Sequence, residues 1–154
     1  MNEVQKIDDQ ILDLNIKKSM IKEAIFKDAS KSWLSLMNVE FESSSCRTPQ
    51  YLAFHRIFKK QITKLFKDNF DVKNIKISKP NHFDASGFIE LFDGTMYNFF
   101  IGDLRWNKSF IIREVMSFTD YTGGINRDCN IKEGMERFIN DLNQIINKVS
   151  FQEI

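Results

Sequence analysis

The sequence predicts an α+β domain, in which an antiparallel meander of about four strands has helices packed on one face. An Asp93-Gly94 pair stands between two runs rich in β-branched and aromatic residues, which is the strongest short-range indication of a β-hairpin. Strand-like runs flank this hairpin with no helix between them, so parallel crossover connections are excluded. The four predicted strands lie within residues 72–77, 88–92, 95–101 and 109–118. Helical periodicity occupies both ends of the chain.

Length and composition indicate one soluble unit. The chain has 154 residues, of which 42% are hydrophobic and 28% charged, and it contains no apolar run long enough to span a membrane. Residues 1–6 lack the apolar core of a signal peptide, so a cytoplasmic location is expected (the host cell cytoplasm if a phage encodes the chain). We divide the chain into a long helix, 1–37, and an α+β domain, 47–154. Cys46 and Cys129 are expected to be separate thiols.

The N-terminal helix carries apolar residues at alternating steps of three and four, the pattern of a coiled-coil seam. This seam comprises Val4, Ile7, Ile11, Leu14, Ile21 and Ile25. Lys18 interrupts it. One interpretation is a homodimer interface or an arm that grips a partner helix. The other, preferred because the pattern covers only about three and a half heptads, is that the seam packs on the chain's own sheet or last helix.

A second helix is predicted from Pro49 to Asp68, after a polar loop at 43–46 and a possible short strand at 39–42. Thr48 and Pro49 supply a cap and a favourable first helical residue. One sector of this helix is apolar and should pack on the sheet, whereas the opposite sector is basic. The segment from Arg47 to Lys79 contains nine basic and two acidic residues. Its net charge is therefore +7, whereas that of the whole chain is +1.

Basic residues of this region form the candidate partner- or phosphate-binding surface. Four of them are aligned by helical spacing, and three more widen the patch. The predicted set is Arg56, Lys59, Lys60, Lys64, Lys67, Lys73 and Lys76. A solvated lysine face is also common on soluble helices, and the aromatic residues lie on the opposite, core-facing side, so base stacking is not predicted.

The final helix is predicted to begin after a cap at Asp128 or Asn130 and to follow an apolar stripe. This stripe comprises Ile131, Met135, Phe138, Ile139, Leu142, Ile145, Ile146 and Val149. The preceding segment, with Gly123-Gly124, is predicted to be loop and lacks the lysine and hydroxyl residues of a P-loop.

No catalytic or metal-binding motif is evident, so neither a metal nor a cofactor is predicted. His55 falls in the apolar sector of the second helix, and neither it nor His82 has further ligands at zinc spacing. A trio of Cys46, His55 and an acid can be assembled, as in most proteins of this size.

The segment around Glu114 partly resembles a metal-binding site of the PD-(D/E)xK nuclease type. Asp93 or Asp103 would pair with Glu114 across strands, but Met116 occupies the position of the essential lysine. Ordinary strand residues are therefore the preferred interpretation of this segment.

The expected function is that of a non-catalytic intracellular interaction protein that contacts a protein or ribonucleoprotein. The short, Lys-, Ile-, Asn- and Phe-rich chain is typical of bacteriophage and mobile-element proteins, which include inhibitors of the anti-CRISPR and anti-defence type. That expectation comes from composition and from no shared motif. The alternatives are a nucleic-acid-binding protein that uses the basic helix, and a metal-dependent nuclease-like enzyme with a degenerate site. No membrane association is expected.

Overall fold

The computed structural model describes residues 2–39, 45–105, 109–120 and 122–148. Three helices and five strands follow one another in the order ααβββββα. The helices are α1, Glu3–Met37; α2, Pro49–Asn69; and α3, Met135–Ile146. The strands are β1, Val72–Ile77; β2, Ala85–Leu91; β3, Met96–Ile101; β4, Ser109–Val115; and β5, Arg127–Asn130. No helix in the described ranges combines the length and apolarity needed to cross a membrane.

The sheet is an antiparallel meander in the order β1-β2-β3-β4-β5. This confirms the predicted fold class, with a fifth strand added at one edge. The β2–β3 hairpin closes at Asp93-Gly94: Gly94 has φ of 91°, which favours glycine, and the Asp93 carboxylate accepts a hydrogen bond from the Thr95 amide at 2.9 Å.

One face of the sheet holds the core. Its central strands alternate buried and less buried side chains, as expected when one face is covered. Aromatic rings connect the helices to the sheet. The ring centroids of Phe66 in α2 and Phe99 in β3 are 6.2 Å apart, and those of Phe138 in α3 and Phe110 in β4 are 4.8 Å apart. Both α2 and α3 therefore cover the same face of the sheet.

The start of α3 differs from the prediction. The helix begins at Met135 after Gly134, which provides no side-chain cap, and Asp128 and Asn130 instead belong to β5. Asn130 accepts hydrogen bonds from the amides of Lys132 and Glu133 in the connecting turn. Ile131 precedes the helix, but its side chain is buried like those of the helical stripe. The predicted apolar stripe therefore begins four residues before α3 does.

The first helix is one continuous rod that joins the domain only at its end. Among its residues only Trp33, Leu36 and Met37 are buried, whereas every residue from Glu3 to Asp28 is exposed. The predicted packing of the seam on the chain's own sheet or last helix is therefore wrong for the described residues. We call residues 3–28 the arm. The predicted strand at 39–42 and loop at 43–46 lie mostly outside the described residues.

Candidate interaction surfaces

The solvent-facing side of α2 is a continuous basic surface. We call its five exposed cations the basic face: Arg56, Lys59, Lys60, Lys64 and Lys67. None of the five lies within 4.0 Å of a carboxylate in the described part of the chain. Lys67 is eleven positions after Arg56, so the face extends about 16 Å along the helix.

The opposite side of α2 fixes this orientation. Thr48 accepts a hydrogen bond from the Tyr51 amide at 3.3 Å, which caps the helix, and Pro49 occupies its first turn. Large apolar side chains at helical spacing are then fully or almost fully buried against the sheet, among them Phe58 and Phe66. Because one side of α2 is buried in the core, the helix cannot rotate about its axis, and the basic face stays exposed to solvent.

The two predicted lysines of β1 do not extend this face as one surface. Lys73 is exposed at an irregularity in β1, where the pairing register shifts between Val72 and Asn74. Lys76 pairs with Phe88 of β2, whose side chain lies on the sheet face away from the helices, and its Nζ is 5.7 Å from the ring centroid of Phe118. Lys76 therefore belongs to the open face of the sheet.

An apolar residue adjoins the basic face. Ile57 is 50% exposed and lines a shallow groove of about 410 Å³ between α2 and the end of α1. The other residues of this groove are Lys31, Ser32, Ser35, Leu36, Val39 and Gln61. Basic and apolar contacts are thus offered side by side.

The seam is exposed along the whole arm. Its six residues have exposed fractions between 51% for Ile11 and 67% for Val4. At the base of the arm, Ile25 also lines a cleft of about 330 Å³, which we call the root cleft. Its walls come from all three helices: Asp28, Ala29, Ser32, Trp33, Gln61, Lys64, Leu65, Asp68, Asn69 and Met135.

A buried polar group lies near the start of α2. His55 is 3% exposed, and its Nε2 has no hydrogen-bond partner among the described residues. Burial and the nearby Lys59 lower the pKa of His55, against an opposing effect of Asp84. The Cys46 thiol donates to the Asn81 carbonyl oxygen at 3.2 Å. His55 is therefore a core residue, in keeping with its place in the apolar sector.

The residues weighed for a nuclease-like site have separate environments. Asp103 forms a two-pronged ion pair with Arg105, whose guanidinium stacks on Phe83 at 3.5 Å. Glu114 lines a cleft of about 420 Å³ with Tyr97, Ile112, Gly124, Ile125, Arg127, Gln144, Ile145 and Lys148. In the ranges that the structure describes, no three His, Cys, Asp or Glu side chains converge in a way that could hold a metal ion.

Sequence patterns did not identify the open face of the sheet as a surface. It presents Phe88, which contacts Phe118 edge-on at 5.2 Å, and Phe100, which is 42% exposed. Arg113 on the same face donates hydrogen bonds to the Gly123 and Gly124 carbonyls. The alternation of β2 and β3 indicated such a face, but which residues it would expose depends on the loop that folds over it.

Comparison with known proteins assigns no family: no family model, no curated protein and no solved structure matches this chain.

Proposed function

We propose that this chain is a non-catalytic interaction protein that docks its basic face into an anionic groove on a protein or ribonucleoprotein. The single observation that carries the proposal is the row of five exposed cations on α2, none of which forms an ion pair within 4.0 Å among the described residues. Unpaired cations keep their full charge available to a partner, whereas paired cations would first have to give up an ion pair.

The exposed Ile57 favours a partner that is at least partly protein. Protein interfaces combine apolar contacts with a charged rim, and Ile57 with its shallow groove lies directly beside the basic face. Binding to nucleic acid alone would use the lysines through phosphate contacts and would leave Ile57 unused. The rigid attachment of α2 to the sheet means that the face binds without a large ordering cost.

An inhibitor fits this description. A protein that fills the nucleic-acid channel of another protein or ribonucleoprotein must present charge and shape over a limited surface, and it needs no catalytic group. An anti-CRISPR or other anti-defence inhibitor encoded by a phage or mobile element is the specific form that we propose, with action in the cytoplasm of the host cell. Composition alone suggests this specific form.

The experiment compares charge reversal on and off the basic face. One variant carries Lys60→Glu and Lys64→Glu, and its matched control carries Arg127→Glu and Lys132→Glu on exposed residues elsewhere, so both have the same net charge. Affinity capture from host lysate, with and without nuclease treatment, is followed by direct binding assays with each captured component. We expect the Lys60/Lys64 variant to lose the partner and the control to keep it.

A second measurement separates nucleic acid from a protein partner. Five phosphate contacts would weaken binding to random duplex or single strands by roughly 10² to 10³ between 50 and 200 mM salt. Such a dependence, abolished by the Lys60/Lys64 reversal, would establish direct nucleic-acid binding instead. Equal capture by both variants would refute the basic face as the docking surface.

A further inference from the structure

We propose that two copies of this chain pair through their arms in antiparallel orientation, so that the tip of each arm lies against the root cleft of the other. This inference does not depend on the proposed partner of the basic face, although Lys64 belongs to both the basic face and the root cleft. Its starting point is the distribution of exposed apolar side chains: ten of the sixteen large ones among the described residues belong to the arm. Exposure on this scale marks an interaction surface.

Burial of an amphipathic face, more than local contacts, stabilises most helices in proteins, and the arm buries no face within the described chain. Asn2 accepts a hydrogen bond from the Gln5 amide at 2.8 Å, and Lys17 pairs with Asp13 at 3.2 Å. Such local contacts leave an isolated helix of this length marginal in water, so burial of the seam is what would stabilise it. A second copy provides an identical seam over about 39 Å of helix, enough for an interface of about 800 Å² per partner.

Charge selects the antiparallel orientation. Between Glu3 and Asp13 the arm has a net charge of −3, and between Lys17 and Lys27 it has a net charge of +3. In a parallel pair, like halves would face each other along the whole length. In an antiparallel pair, each acidic half faces a basic half, so attraction replaces repulsion at every level of the pair.

The heptad pattern then fixes the alignment. In antiparallel pairs, the first and fourth positions of the heptad meet across the interface. This places Ile7 opposite Ile25 of the second copy and Ile11 opposite Ile21, and it places Val4 level with Asp28. The pair has two-fold symmetry, so both ends make the same contacts.

The root cleft is where this alignment delivers the tip. Ile25, Asp28, Ala29 and Ser32 all line the cleft, and they continue the seam toward the domain on the same side of α1. The tip brings the apolar Val4 together with Glu3, and the cleft wall carries Lys64. Val4 would pack on the apolar part of the wall, which includes Trp33 and Leu65, and Lys64 would attract Glu3, although Asp28 and Asp68 also line the cleft.

Disulfide trapping tests the alignment in a Cys46→Ser background. Mixing Ile7→Cys with Ile25→Cys, or Val4→Cys with Asp28→Cys, should give disulfide-linked heterodimers under mild oxidation, identified by mass spectrometry. Mixing Asp9→Cys with Glu23→Cys is the matched control, because these residues are at the same level but on the outward side of the helices. Trapping of Ile7→Cys with itself would indicate a parallel pair and overturn the proposal, as would equal trapping in the outward control.

Sedimentation of the full chain tests pairing itself. We expect a dimer at micromolar concentration, and a dissociation constant raised roughly 100-fold or more by Ile11→Lys with Ile21→Lys. Leu12→Lys is the control, since Leu12 is 60% exposed but lies outside the seam. Circular dichroism and tryptophan fluorescence verify that each variant folds. A monomer, a larger assembly, or a dimer indifferent to the seam variants would refute the proposal.

Discussion

The indole ring of Trp33 stacks on the ring of Phe138, with centroids 5.4 Å apart and an angle of 14° between the planes. Its Nε1 also donates a hydrogen bond to the carbonyl oxygen of Ile131 at 3.1 Å. Trp33 is 1% exposed and lies only a few residues beyond the arm. One side chain thus joins the end of α1 to the segment before α3 and to the first turn of α3.

Trp33→Ala should therefore destabilise the domain strongly. The loss of a buried aromatic side chain and its hydrogen bond is expected to lower the free energy of unfolding by about 3–5 kcal/mol. Trp33→Phe keeps the ring contact and should cost less. Urea denaturation measures both, with Leu34→Ala as the control because Leu34 is 43% exposed. If Trp33→Ala and Leu34→Ala lowered the stability equally, the anchoring role of Trp33 would be rejected.

Gly87 in β2 has no room for a side chain, because atoms of the neighbouring strands β1 and β3 lie close to its Cα. A Cβ atom at this position would overlap the Lys76 carbonyl oxygen and would lie 2.7 Å from the Phe99 ring. Gly87→Ala should lower the free energy of unfolding by about 1–3 kcal/mol, because both neighbours are held by the sheet. Gly102→Ala is the matched control, since its nearest neighbour would be 3.8 Å away. Thermal unfolding of the two variants decides; equal midpoints would contradict the prediction.

The pH dependence of stability should depend on His55. Its pKa in the folded state is lowered from 6.5, first by burial and then by Lys59. The unfolded chain therefore binds more protons, so stability is fully present above the unfolded pKa and falls as the pH drops below it.

His55→Gln should accordingly flatten the stability profile between about pH 7.5 and pH 5.5, a window in which ordinary carboxylates hardly titrate. Chemical denaturation at several pH values provides the measurement. His82→Gln is the control, because it makes the same substitution at an exposed histidine. A slope that survives in His55→Gln would show that another group governs the acid response.

The hairpin and α2 could be predicted from sequence because local chemistry specifies them. Asp93-Gly94 gives the turn geometry by itself, and Thr48-Pro49 starts the helix by itself. By contrast, β5 has the sequence Arg-Asp-Cys-Asn, which lacks strand-forming side chains apart from Cys129. It is a strand because its backbone pairs with the edge of β4, and this pairing has no signature in the local sequence.

The candidate surfaces were predictable to the same degree. Helical spacing predicted four cations on one side of α2, and these four are exposed there together with Lys59, since a buried opposite side determines the rotation of the helix. Lys76 alternates with Ile75 and Ile77 and so lies on the opposite face of the sheet, whereas the shift in pairing between Val72 and Asn74, which sequence spacing does not reveal, affects Lys73. Likewise, the heptad spacing of the seam could be predicted from the sequence, whereas the exposure of the seam residues depends on how the rest of the chain packs.

Lys18 offers a gain-of-function test of the antiparallel pair. It occupies a seam position, where in the proposed alignment it lies opposite Leu14 of the second copy. A polar residue at such a position weakens association while restricting the alignment, so Lys18→Ile should tighten the dimer about tenfold or more. Lys27→Ile is the control, since Lys27 lies outside the seam and pairs only weakly with Glu23 at 4.0 Å.

Sedimentation equilibrium compares the two variants with the wild type. Tightening by Lys18→Ile alone is expected, because only this substitution adds apolar contact within the seam. Equal tightening by Lys27→Ile would mean that added apolarity anywhere on the arm promotes association, which is incompatible with a single defined seam. An unchanged dissociation constant in Lys18→Ile would place Lys18 outside the interface, and the alignment derived from the heptad pattern would then fail.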